Sequence, residues 1–247
     1  MMDIVRSEWT KIRSVRSTVW TLACTGLLMI GFSVLLGVSI VNSQGNPPMG
    51  LEAARVSLSG TLFAQLAVAT FGVLVISGEY RTGSIRGSFM AVPQRLRLLT
   101  AKVLVFTVVT AIVSTVSSVA AFLVGGQFII GTTTLGDPGV SQAVFGTALY
   151  LTASGLFGLA LGALVRHTPG AVVSVMALIL VLPQLTSMLP GAWGSAVHHH
   201  FTSNAGLQVV AANPSNPLGP WSGYGVYLAW VAVTLVAAAV LMRRRDA

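Results

Sequence analysis

Few residues in this sequence could make or break bonds: six carboxylates, four histidines and one cysteine among 247 residues. Acid–base catalysis needs such groups held together and shielded from water. Here Asp3, Glu8, Glu52, Glu79, Asp137 and Asp246 all lie between long uncharged stretches or at their ends. The sequence has no HExxH or GxSxG pattern, so two common hydrolase designs are missing. It has no Gly-Lys dipeptide, so it carries no Walker A phosphate loop. His198, His199 and His200 are adjacent, which raises the question of zinc. Consecutive helical residues point about 100° apart, and no Cys or acid lies nearby in sequence. We read them as interfacial polar side chains and expect no metal site. Cys24 is alone in an apolar stretch and forms no internal disulfide. The chemistry expected of this chain is therefore non-covalent: no catalytic residues, no cofactor of its own, not an enzyme.

Composition says which elements carry these residues. Charged types make up 8% and hydrophobic types 54%, yet the formal net charge is +8. Soluble domains average about 25% charged residues, and disorder requires low hydrophobicity. A membrane protein remains. Residues 17–51, 56–78, 103–136, 138–165 and 167–242 contain no Asp, Glu, Lys or Arg. A helix crosses the hydrocarbon in about 20 residues, so the last stretch has room for two crossings. The expected fold is an all-α polytopic membrane protein, a single transmembrane domain over 1–247. Its six transmembrane helices are placed at about 18–41, 58–77, 103–125, 143–165, 171–189 and 223–242.

The cations then fix an orientation. Arg6, Lys11, Arg13 and Arg16 precede the first span, and Arg81, Arg86, Arg95, Arg97 and Lys102 lie between the second and third. Arg166 follows the fourth span, and Arg243, Arg244 and Arg245 follow the sixth. With six spans, all of the 14 except Arg55 share one side. The positive-inside rule makes that side the cytoplasm, with both termini there. The cations hug membrane ends and form no separate basic domain, which argues against nucleic acid as a partner.

Residues 3–16 read as an amphipathic helix lying on the membrane. Ile4, Val5, Trp9, Ile12 and Val15 share one arc, with Lys11 and Arg16 flanking it and Arg6 and Arg13 opposite. Trp9 and the cations suit lipid headgroups. Glu8 falls inside the apolar arc. Either it reaches past the arc to water, the simpler arrangement, or it has a cationic partner or faces a protein surface. The loop 78–102 is the richest segment. As a short helix over 79–91, Thr82, Ile85 and Phe89 form one stripe and Arg81, Ser84 and Ser88 another. Gly83 and Gly87 weaken the helix but allow a close partner, and Pro93 ends it. Two apolar anchors flanked by arginines suit a groove on a soluble protein. They equally suit a basic loop that sets topology or binds acidic headgroups.

The segments SEWTKIRSVRSTVWTL and GEYRTGSIRGSFMAVPQRLRLLTAKVLV resemble permease subunits of type-2 ATP-binding cassette (ABC) exporters, most of all the short actinobacterial kind. The ending LGPWSGYGVYLAWVAVTLVAAAVLMRRRDA and the segment HHFTSNAG (His199–Gly206) are similar to the same family. The resemblance implies an N-terminal elbow helix containing Glu8, Trp9, Lys11, Arg13 and Arg16. It implies a cytoplasmic coupling helix within 79–91. There Glu79, Tyr80, Arg81, Gly83, Ile85 and Arg86 match an E-[YF]-R-x-G-[ST]-[IL]-R pattern, with Thr82, Ser84 and Phe89 alongside. Pro93, Arg97 and Lys102 match the following P-x-x-R-x-x-x-L-x-A-K region approximately, since Arg95 competes for the arginine position. It further implies a separate ATPase that binds ATP and Mg, and a second permease, identical or related.

Other features remain open on the residues alone. Gly155, Gly158 and Gly162 form a small-residue stripe, suited either to packing within the chain or to a dimer seam. Pro183 bends the fifth span and serves either as a gate kink or as an accommodation to neighbours. Residues 190–222 hold no formal charge but include Trp193, Phe201 and Trp221. They are expected to be an extracytoplasmic re-entrant segment, which the resemblance implies is a lid over an exit path. The leading expectation is the permease of an exporter in a bacterial cytoplasmic membrane, moving an amphipathic or lipid-like substrate or drug. The alternatives are an ATP-independent carrier or channel, and a membrane anchor or sensor that holds a soluble partner through 79–91.

Overall fold

The structure is a computed structural model that describes residues 2–14, 16–43, 48–83, 95–128, 133–213, 215 and 217–244. Its regular elements are all helical. Six of its helical stretches are long and apolar enough to cross a membrane: Val19–Ile40, Thr61–Thr82, Leu96–Gln127, Val140–Val165, Thr168–Thr186 and Pro220–Arg244. By helix length and hydropathy this is a multi-pass membrane protein.

The chain opens with α1 (Met2–Ser14) and turns into α2 (Arg16–Ser43), the first long helix. A short α3 (Gly50–Ser57) leads into α4 (Thr61–Thr82). α5 (Arg95–Phe128) has 34 residues. At 1.5 Å per residue it is about 50 Å long, well beyond the roughly 30 Å hydrocarbon core. The expected second span ended near residue 77 and the third began near 103. Both helices instead run on past the apolar window, so their charged residues sit on helix ends.

α6 (Val140–Val165) is the central post. Its apolar window is 78% buried, against 22% for the first, fifth and sixth spans. α4 lies along it through small residues. A Cβ on Gly158 would stand 2.0 Å from Ala69 O, and one on Gly72 would stand 2.1 Å from Gly155 O. Gly155 faces Val68, and Gly162 faces Ile76 and Val73. The glycine stripe therefore brings α4 and α6 together inside one chain, the close approach such residues permit. Polar side chains inside the bundle pair with one another: Tyr150 donates to Gln65 Oε1, and Tyr227 donates to Ser154 Oγ at 3.0 Å. The outer faces are apolar, as on Val19, Leu27, Val116 and Val233, and all five tryptophans are exposed on them. Cys24 is exposed on α2.

The fifth span is not one regular helix. It comprises α7 (Thr168–Met176), a π-turn at Ala177–Val181, and α8 (Leu182–Thr186) with a buried Pro183. Two short helices follow, α9 (Gly191–His200) and α10 (Thr202–Ala211), before α11 (Pro220–Arg244). Phe201, with φ −80 and ψ 132, is the extended corner between them. That corner lies deep beside the bundle. Thr202 and Ser203 bond carbonyls of Leu178 and Ile179, and Trp230 donates to His200 O at 3.0 Å. Gly206 sits against the rings of Tyr150 and Tyr227. Those partners are seven to ten residues in from the nearer ends of their helical stretches, a depth of about 10–15 Å. At the same end, Arg55 donates from Nε to Ala211 O at 2.9 Å. A cation there suits the last carbonyls of α10.

Candidate partner-docking site at the basic end

At the opposite end, where most of the cations gather, four charged side chains close on one another. α1 runs against α5 and α2, and this brings Glu8 inward. Lys102 Nζ lies 2.5 Å from Glu8 Oε2 and 2.9 Å from Glu79 Oε1. Lys11 Nζ lies 2.7 Å from Glu8 Oε1 and 3.0 Å from Glu79 Oε1. Glu8 is 2% and Lys102 3% exposed, while Lys11 is 39% exposed. Two carboxylates and two ammoniums thus neutralise each other where α1, α4 and α5 converge. Lone buried charges are very costly, so the set is stable only as a set. Glu8 does not reach past the apolar arc to water: it is buried against Lys102 of α5.

Burial by itself would raise the Glu8 carboxyl. The ammoniums of Lys102 and Lys11 outweigh it and hold the group below its ordinary value. Burial would likewise lower Lys11, but Glu8 and Glu79 hold it above its ordinary value. The signs give a pH window. A lowered carboxylate contributes stability above its unfolded value of about 4.3 and loses it as pH falls through the folded value. A raised lysine contributes below about 10.4 and loses it as pH rises through the folded value. A spin label on exposed Ser7, in a Cys24→Ser background, should stay equally immobile from about pH 5 to 9. It should loosen only as pH falls below the ordinary carboxylate value of about 4.3 and Glu8 takes up a proton. A Glu8→Gln variant whose label stays equally immobile would show that the ion pairs do not hold α1.

The docking residues expected from sequence divide into three groups. Glu79 turns into the bundle, 12% exposed, toward Lys102 and Lys11. Tyr80 also faces the bundle, with the Arg166 guanidinium 5.2 Å from its ring centroid, a cation–π contact. Arg166 caps α6 in the left-handed conformation, φ 59. Arg81, Thr82 and Gly83 are exposed. Over 79–82 the expected separate helix is in fact the last turn of α4. Gly83 ends it at φ 71, its N–H reaching Tyr80 O at 3.3 Å, the left-handed cap that glycine adopts without strain. Ser84, Ile85, Arg86 and Phe89 lie outside the described residues. On α1, Trp9 is 46% exposed. Arg13 stands in the last turn of α1 and Arg16 opens α2.

Comparison with protein-family models gives no match, and no curated protein matches the chain. The site is therefore read from its own geometry.

Sequence reasoning missed the role of Lys102, which had looked like one more loop cation. The misplaced Glu8 was the signal that a buried cation had to exist. The other candidates fall elsewhere. Gly155, Gly158 and Gly162 are buried against α4, and Pro183 is in the fifth span. His198 contacts Thr186 Oγ1 at 3.0 Å and Asn204 Nδ2 at 3.0 Å. Among the described residues no three His, Cys, Asp or Glu side chains group closely enough to hold a metal ion.

Proposed function

We propose that the chain is the permease subunit of an ABC exporter, with its basic end in the cytoplasm of a bacterial cell and a separate ATPase docked there. The observation that carries this reading is the ion-paired set at the base of the loop. Glu79 ends α4, Lys102 stands near the start of α5, and Glu8 and Lys11 belong to α1. A partner that pushes on residues 83–94 therefore pushes on spans two and three and on the elbow helix together. That is what an ATP-driven transporter asks of a coupling element. Exposed Arg81, Thr82 and Gly83 form the near edge of the docking surface. The deep corner at Phe201 supports a re-entrant segment at the outer side, since irregular backbone at membrane depth must be buried in protein.

In this reading ATP and Mg belong to the partner, and this chain carries out no covalent step. A second permease completes the transporter, and membrane lipids cover the exposed apolar faces. The substrate is amphipathic or lipid-like. Arg81→Glu should leave the protein in the membrane, because the residue is exposed and costs at most about 1 kcal/mol at a helix end. It should abolish co-purification with the native ATPase and substrate-stimulated ATP hydrolysis. A wild-type protein that captures no ATPase from its own cell, yet holds another soluble protein through the same loop, would replace this reading with the anchor or sensor.

A further inference from the structure

Pro183 has no N–H, so it cannot serve Ile179 O, its partner in an α-helical ladder, or Leu178 O, its partner in a π-helical one. Both are met from α10. Ser203 Oγ donates to Ile179 O at 2.7 Å, and Thr202 Oγ1 donates to Leu178 O at 2.6 Å. Two carbonyls of this stretch are thus capped from α10, while Leu182 N–H still reaches Ala177 O across the π-turn, so the bend is held by fewer backbone bonds of its own than a regular helix.

Packing differs on the two sides of this point. Before it, α7 packs on α4 and α6, the body of the bundle. Beyond it, α8 packs on α9 and α10. α10 is itself seated firmly. Gly146 lies against Val209 O, Gly206 against two tyrosine rings, and Gly223 against Ala205 O. α9 is mostly open, with Trp193 60% exposed, and Met188 just before it is 79% exposed. One side chain of α10 holds both ends of this loose piece. Asn204 Nδ2 reaches Pro183 O at 3.1 Å and His198 O at 3.1 Å, with Thr186 Oγ1 at 3.4 Å.

We propose that residues 183–200 form a flap that swings about the π-turn and Phe201, that α10 is a fixed post, and that Asn204 is the pin that latches the flap shut. The inference does not depend on an ATPase. It divides the segment between spans five and six into a moving part and a static part.

Hydrogen exchange of the full chain in lipid nanodiscs tests it. In the wild-type protein, amides of 183–200 should exchange faster than those of 168–176 and 202–211. Asn204→Asp keeps the side-chain shape but removes the donors. It should speed exchange over 183–200 by roughly tenfold, the loss of one to two hydrogen bonds, and leave 202–211 unchanged. Ser203→Ala should loosen 177–183, and Pro183→Ala, which restores the N–H, should cancel that effect. Equal acceleration of 183–200 and 202–211 would mean that the segment moves as one body and would overturn the proposal. So would uniform exchange across it in the wild type, or no response to Asn204→Asp.

Discussion

Lys102→Met is expected to release α1 from the bundle. The substitution leaves Glu8 buried with its closest cation gone and Glu79 with Lys11 alone. Removing one partner of a buried ion pair costs about 3–5 kcal/mol, much of it the penalty of stranding the other charge. Residues 2–14 should lose amide protection, and the detergent-solubilised protein should melt at a lower temperature. The double variant Glu8→Met, Lys102→Met separates this from simple loss of packing. It strands no charge and leaves Lys11 paired with Glu79, so it should be more stable than Lys102→Met alone. If the two changes merely add, the pair is not coupled and α1 is held by its apolar contacts. Lys102→Arg should fall between, since the charge remains but a planar fork replaces a compact ammonium.

Gly158→Leu is expected to be more damaging still. The obstacle at 2.0 Å is a backbone carbonyl of Ala69, which has no rotamer to change. Overpacking a core costs typically 1–3 kcal/mol where side chains can adjust. Here a whole helix must shift, so the loss should exceed that range and appear as aggregation or failure to fold. Gly225→Leu on α11 is the matched control, since nothing lies within 4 Å of its Cβ position. Equal melting temperatures for the two variants would show that α4 and α6 do not meet through this stripe.

Much of the fold was legible because lipid imposes a simple rule on sequence: long neutral stretches become helices. The six spans could be counted from charge gaps, and the Gly155, Gly158 and Gly162 spacing already suggested close helix packing. Span ends were less legible. Charges at Glu79, Arg81 and Lys102 marked where the bilayer should stop, and a helix continues past that point when other helices pack on it. The ion-paired set was hidden for a different reason. Its members are separated by up to 94 residues, and no local pattern pairs them. Only Glu8, polar in an apolar arc, pointed to it. The π-turn left a weaker trace. Pro183 announced a bend, but Thr202 and Ser203 looked like ordinary small polar residues until the carbonyls they cap were seen.

The pairing of Glu8 with Lys102 also sets an order of assembly. Glu8 leaves the ribosome first and Lys102 follows 94 residues later, a wait of roughly 5–20 s at common synthesis rates. Through that interval α1 has no buried counter-charge to meet, and its carboxylate is best kept in water at the membrane surface. α1 is thus made well before the helix it pairs with, and it can dock only once the start of α5 has been made.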